Sequence, residues 1–344
     1  MKFRTVQALR AIAALLVVLY HALQMWGERV DPTAPGVDWT NGAAGVDIFF
    51  VISGFVMAIS ARDLFDQEGG WLTFLRHRVV RIVPFYWFLT TLKLAAVFGL
   101  SAWALRSETD FSYVAASYLF LPVIDHAGHF RPLLPVGWTL TFEFLFYAMF
   151  AIAIALRVDA LRMLAAVLTC IAAIALLRSE TWPTWTLIFD TIVLEFLFGV
   201  ALANAFSTGW KLSPQIAAGA VVGGFATLLL FGHPDTNLRF IVWGLPALAI
   251  VAGAVSLERE IAPSIPKTLL RLGDASYSLY LSHGFVLPMI GIAIGLVGWS
   301  GVVAQSIIMV VCLAACSLIA FAIYYGVEKP MLAVFRRRQT RVPA

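Results

Sequence analysis

Charge is sparse in this chain. Only 13% of its 344 residues are Asp, Glu, Lys or Arg, against 61% hydrophobic residues and a mean hydropathy of +0.87, which excludes a soluble globular domain. Cysteine is scarcer still in number: Cys170, Cys312 and Cys316 all fall in apolar runs, so neither a disulfide framework nor a zinc pattern is available and no metal is implied. Cys312 and Cys316 share a helix face and read as small packing residues. A Gly-rich phosphate loop of either common kind is absent, which removes the ordinary ATP and dinucleotide folds. The opening MKFRTVQALR leads into an apolar stretch without a small-residue cleavage site, and that stretch holds Arg10 and His21, so it reads as a retained first span. No soluble domain is expected at either end.

What the chain does have is long apolar runs. They lie at about 8–26, 44–61, 79–100, 138–156, 160–177, 185–206, 214–232, 238–255, 276–297 and 301–326, each able to address a hydrocarbon core of about 30 Å. The expectation is therefore an all-α integral membrane protein, a bundle of about ten helices forming one domain over 1–335, with a basic cytoplasmic tail at 336–344. Eighteen basic residues fall in loops or ends on one side. Five fall on the other, Arg29, Arg106, Arg131, Arg178 and Arg239, which puts both termini in the cytoplasm. The net charge of +4 follows from this orientation and from anionic lipid headgroups, and carries no nucleic-acid signal. Within the long outer loop, 111–123 is apolar but too short to cross, and reads as a re-entrant or interfacial element. Gly219 with Gly223 and Gly291 with Gly295 have the four-residue spacing of close helix packing.

Ionisable groups inside spans usually face a bundle interior and mark a site. Placed by depth, they form an outer layer: His21 about 8 Å below the surface, Asp47 about 5 Å and Glu143 about 9 Å, with Asp190 and Lys93 similar and Glu195 nearer the middle. Arg10 precedes His21 by eleven residues, so both side chains fall on nearly one helix face, about 16 Å apart along the axis. An imidazole suits general base catalysis on a hydroxyl, with a carboxylate, Glu143 or Asp47, fixing its tautomer. The bland readings stand beside these: a buried histidine bonded to a backbone carbonyl, an Asp47 placed for the helix dipole, and a Lys93 that snorkels or pairs with an acid. Arg76, Arg78 and Arg81 precede Pro84 where span three leaves the cytoplasm. Topology accounts for part of that cluster, and the guanidinium fork also suits phosphate oxygens, so Arg10, Arg78 and Arg81 are candidates to grip a nucleotide-containing donor.

Six segments in order carry a family resemblance: LRAIAALLVVLYH at 9–21, GVDIFFVISGFVM at 45–57, RHRVVRIVPFYW at 76–87, GWTLTFEFLFY at 137–147, LGDASYSLYLSH at 272–283 and EKP at 328–330. On these the chain resembles acyltransferase family 3, multispanning membrane proteins whose bacterial members O-acetylate exopolysaccharides and related surface sugars. The resemblance implies transfer of an acetyl or short acyl group from acyl-CoA, a co-substrate and not a permanently bound cofactor, to a sugar hydroxyl, in a bacterial inner membrane. It places the family's histidine on His21, its arginine on Arg10, its cytoplasmic arginines on Arg78 and Arg81 and its fourth-span glutamate on Glu143. Thr139 stands where many relatives have Ser, and Phe144 follows Glu143 where they have a second acid, so no second carboxylate is carried over. Other relatives add a soluble esterase-like domain.

The resulting expectation holds the CoA phosphates near Arg10, Arg78 and Arg81, with Arg76, Tyr277 and Lys329 as further contributors. The thioester arm then reaches toward His21. Direct attack by the hydroxyl and an acyl-histidine intermediate both remain open. Trp138, Tyr20 and Trp26 read as sugar-stacking platforms or as interfacial aromatics. Partners expected are acyl-CoA, a sugar or polysaccharide acceptor, membrane lipid and a homo-oligomer or polysaccharide assembly machinery. The rival readings are a transporter or flippase for a lipid-linked sugar, for which no internal repeat is evident, and a structural partner in an assembly complex.

Overall fold

A computed structural model describes residues 3–100, 110–179, 181–232 and 236–339, for 99–100, 236 and 336–339 the backbone alone; Lys2, Arg106 and the side chains of the basic tail lie outside the described residues. In chain order the helices are α1 (Arg4–Arg29), α2 (Gly45–Ala61), α3 (Gly70–Leu100), α4 (Phe111–Tyr118), α5 (Trp138–Leu156), α6 (Ala160–Ala175), α7 (Val193–Ser207), α8 (Pro214–Leu230), α9 (Leu245–Ser256), α10 (Glu258–Ile261), α11 (Lys267–Asp274), α12 (Ser276–Val297), α13 (Val302–Ile323) and α14 (Lys329–Gln339). Among the described residues there is no strand, only an isolated bridge between Ile124 and Phe130.

Among the described residues seven helical stretches are long and apolar enough to cross a membrane, and an eighth is reached if Phe240–Ser256 and Glu258–Ser264, bent by 60°, count as one span. The protein is a multi-pass membrane protein. Helices α6 and α8 are apolar but have only 16 and 17 residues. Their shortness has local causes. Asp159 caps α6 by accepting the Arg162 N–H at 2.8 Å, and Pro214 opens α8 at a position where no N–H is needed. At the far end of α8 the buried Asn41 amide donates to the carbonyls of Leu229 and Phe231 at 3.0 and 2.7 Å, satisfying groups that a helix terminus leaves open.

The chain divides into two compact units. Met1–Ile59 with Leu194–Ala322 form the first, and Ser60–Val193 with Ile323–Ala344 form the second. In the first, α1 has two apolar faces, which is why it sits between two cores. Val6, Leu9 and Ala13 join residues of α2, α8 and α9 such as Ile48, Leu228 and Val251. Ala14, Val18, Ala22 and Trp26 join α12 and α13 residues such as Leu279, Leu287 and Cys312.

Of the four glycines the spacing suggested for close helix approach, only Gly291 packs, and other glycines make the closest crossings in this unit. A Cβ on Gly54 would lie 2.2 Å from the Phe196 carbonyl oxygen and one on Gly199 would lie 2.1 Å from that of Val51, so α2 and α7 cross backbone to backbone. On α8 the residue facing α9 is Gly224, against Pro246, while Gly219 and Gly223 face open space, as does Gly295 on α12. Gly291 does pack, against Met25 and Arg29. A four-residue spacing gives the period of a helix face, but the direction of that face depends on the neighbour.

In the second unit α3 packs against α5 and α14, and α5 against α6. The apolar segment expected at 111–123 contains the eight-residue α4, far too short to cross. It is tied to α3, where Tyr86 donates to the Ser117 carbonyl at 3.0 Å and Trp87 to that of Tyr118 at 2.9 Å.

Candidate active site

One uninterrupted helix, α1, carries both Arg10 and His21, and both side chains are half-buried. His21 Nδ1 lies 2.9 Å from the Val17 carbonyl oxygen, one turn back. A carbonyl only accepts, so Nδ1 is the protonated nitrogen of the neutral ring and Nε2 carries the lone pair. On α12, His283 is 1% exposed and its Nδ1 lies 3.2 Å from the Leu279 carbonyl. Its Nε2 lies 3.3 Å from His21 Nδ1, and the two rings are tilted with centroids 4.9 Å apart.

The first unit holds a second polar centre. Asp47, in the first turn of α2 and fully buried, receives both arms of the Arg239 guanidinium, Nε at 3.0 Å and Nη2 at 2.8 Å. The guanidinium lies over the Trp243 ring, 5.0 Å from its centroid. Arg239 precedes a π-turn at Phe240–Gly244, and a Cβ on Gly244 would lie 3.0 Å from Cγ of the fully buried Glu195. Asp47, expected to orient the imidazole, has both its oxygens bonded to a cation, which offsets the cost of burying the carboxylate. Arg239 is accordingly not a loop charge. Asp190 lies in the non-helical junction before α7 and accepts the Ile192 N–H at 2.9 Å, as turn-forming residues do.

In the second unit, Glu143 accepts a hydrogen bond from the fully buried Tyr147 one turn along α5. Arg78 is near enough to both to interact electrostatically with them and with Arg81, donates to Ser60 and covers the Phe74 ring at 5.3 Å. The structure thus brings Glu143 to the arginine cluster. The depth layer separated them because span three was started at 79, whereas α3 begins at Gly70 and carries its arginines well inside the helix. Arg78 and Arg81 share a face; Arg76, two residues away, is exposed. Lys329 is exposed and lies 5.1 Å over Tyr325, and α14, which it opens, packs on α3. Tyr277 and Lys93 are half-buried in α12 and α3.

Of the aromatics, Trp138 is half-buried beside Phe130 and Phe142. Tyr20 is half-buried and accepts from Gln24 at 2.7 Å. Trp26 is fully buried in the core between α1 and α12, so it is neither a platform nor an interfacial anchor.

Three residues of these centres were not reached from sequence. His283 closes the segment 272–283, and the cost of an ionisable group inside an apolar run, which singled out His21, applies to it equally. Tyr147 had a signal in its i+4 spacing from Glu143. Arg239 had only its place at the edge of an apolar run.

The family profile described as an acyltransferase domain matches residues 3–325. The chain belongs to acyltransferase family 3. It is 34% identical over 95% of its length to the exopolysaccharide production protein ExoZ of Rhizobium meliloti, covering 98% of that protein. It is 26% identical to the acyltransferase MdmB of Streptomyces mycarofaciens over 96% of this chain and 92% of MdmB. Similarity to the O-acetyltransferase OatA of Staphylococcus aureus, 26% over 80% of this chain, spans 49% of the longer OatA. No solved structure matches. The protein is a membrane acyltransferase.

Proposed function

We propose that this acyltransferase moves an acetyl or short acyl group from acyl-CoA to a sugar hydroxyl of an exopolysaccharide or lipid-linked glycan, with His21 as general base. The observation that carries the reading is the His21 imidazole, half-buried in the span, with Nδ1 on the Val17 carbonyl and therefore a lone pair on Nε2. The polysaccharide acceptor is supported by similarity along nearly the whole chain to a protein named for exopolysaccharide production.

His21 Nε2 takes the hydroxyl proton as the oxygen attacks the thioester carbonyl, and returns it to the departing CoA thiolate. Arg78 and Arg81 are assigned to the CoA phosphates, with Arg10 on the helix that carries the base; Arg76, Tyr277 and Lys329 are supporting contacts. Glu143, bonded to Tyr147 and within electrostatic reach of Arg78, holds that guanidinium in place. Trp138 and Tyr20 are assigned to the sugar. The chain crosses a bacterial inner membrane ten times with both termini in the cytoplasm, α6, α8 and the bent α9 segment being the crossings that fall short of full length.

The test uses purified protein in lipid, labelled acetyl-CoA and polysaccharide from the source cell. Acetylated glycan is expected from the native chain and none above background from His21→Ala in a folded sample. Transfer that persists without the imidazole would sink the assignment, and sugar movement independent of CoA would favour a transporter.

A further inference from the structure

We infer that His283 is a positioning residue, the acceptor that holds the His21 proton on Nδ1 and shares the positive charge when Nε2 takes a second proton. The inference rests on the reading of His21 as the base. Its own ground is a sequence of forced assignments along three contacts. Leu279 offers His283 Nδ1 a carbonyl oxygen at 3.2 Å, so that nitrogen bears hydrogen and His283 Nε2 bears a lone pair. This lone pair meets His21 Nδ1 at 3.3 Å, which the Val17 carbonyl at 2.9 Å independently requires to be protonated. The two constraints agree. They make a directed chain in which His21 Nδ1–H is shared between a carbonyl and an imidazole, and the only basic nitrogen left in the pair is His21 Nε2.

Burial makes the choice of partner physical. His283 is 1% exposed and sits beside Leu279 and Tyr280 in α12, while His21 is half-buried. A resting carboxylate at this place would have to be desolvated in every turnover state, and Asp47, the acid of α2, is already committed to Arg239. A neutral imidazole avoids that cost and still accepts the Nδ1–H bond. When the acceptor hydroxyl passes its proton to His21 Nε2, the imidazolium charge spreads across the Nδ1–H···Nε2 contact. As the thioester breaks, the proton on Nε2 leaves with the thiolate as CoA thiol, and the pair returns to neutrality.

The experiment combines kinetics with nitrogen-15 spectra of histidine-labelled full-length protein in lipid, in which the six histidines are few enough to assign by substitution. The native spectrum is expected to show His21 and His283 both as Nδ1–H tautomers. His283→Met is expected to lower kcat about 100-fold with KM for acetyl-CoA unchanged, and to mix the His21 tautomers, the size following from loss of an oriented base. In His283→Gln the amide oxygen takes the acceptor place, so most of kcat and the single tautomer return. An Nε2–H tautomer at His21 in the native protein overturns the inference, as does a His283→Met enzyme with native kcat, or one in which Met and Gln are equally impaired with the His21 signal unaltered. Absence of transfer by the native protein would count against the acyl-CoA reading, and the spectra would still decide the pairing.

Discussion

Asp47 shows how a single residue's role is set by its cheapest neutraliser. With no exposed surface, its carboxylate is tolerable only because both Arg239 arms reach it. Arg239→Ala strands that charge, and a loss of about 3–5 kcal/mol is expected in unfolding of the solubilised protein. The double variant Asp47→Leu/Arg239→Met removes both charges and is expected to recover most of it; equal instability in both would show that the pair does not carry the effect. His21 and Arg10 were legible from sequence because an expensive residue inside an apolar run advertises itself, and because eleven residues return a helix to the same face. The partner of Asp47 was not, since Arg239 is 192 positions away and nothing local links them. His283 was visible by the same criterion as His21, but that it faces His21 depends on how α12 packs on α1.

At the scale of elements, the helices themselves follow from runs of apolar residues, and the sequence marks most of them to within a few positions. What the runs do not contain is phase. Gly219 and Gly223 have the right spacing for a contact and face open space, while the neighbouring Gly224 meets Pro246. Gly224→Ala and Gly199→Ala are therefore expected to destabilise by about 1–3 kcal/mol each, since a backbone must move to admit the methyl group. Gly219→Ala and Gly223→Ala are expected to be neutral or slightly stabilising, because alanine is the better helix former. Denaturation midpoints of the four variants check this order, and equal losses at all four would contradict the packing described. Helix α3 taught the opposite lesson: hydropathy cut it short at its charged end. Its arginines lie inside a helix that starts at Gly70, which is what lets Arg78 meet Glu143 and Tyr147.

For the whole molecule, the positive-inside distribution makes a topological prediction. Reporter domains fused after Lys2 and after residue 344 are both expected to be active as cytoplasmic fusions and silent as exported ones, and one inserted in 101–109 the reverse. Opposite signals from the two ends would require an odd number of crossings. The two-faced α1 sets a further condition on the donor. Packed into one core with Ile48 and Val251 and into another with Leu279 and Cys312, the uninterrupted helix holds Arg10 and His21 about 16 Å apart along its axis, a fixed gauge. On the proposed acyl-CoA reading, a donor matches that length to keep its anionic end at Arg10 and its thioester at His21. A truncated thioester such as acetyl-cysteamine spans only a fraction of the gauge, and however reactive its carbonyl, it is expected to be a poor substitute for the full-length coenzyme.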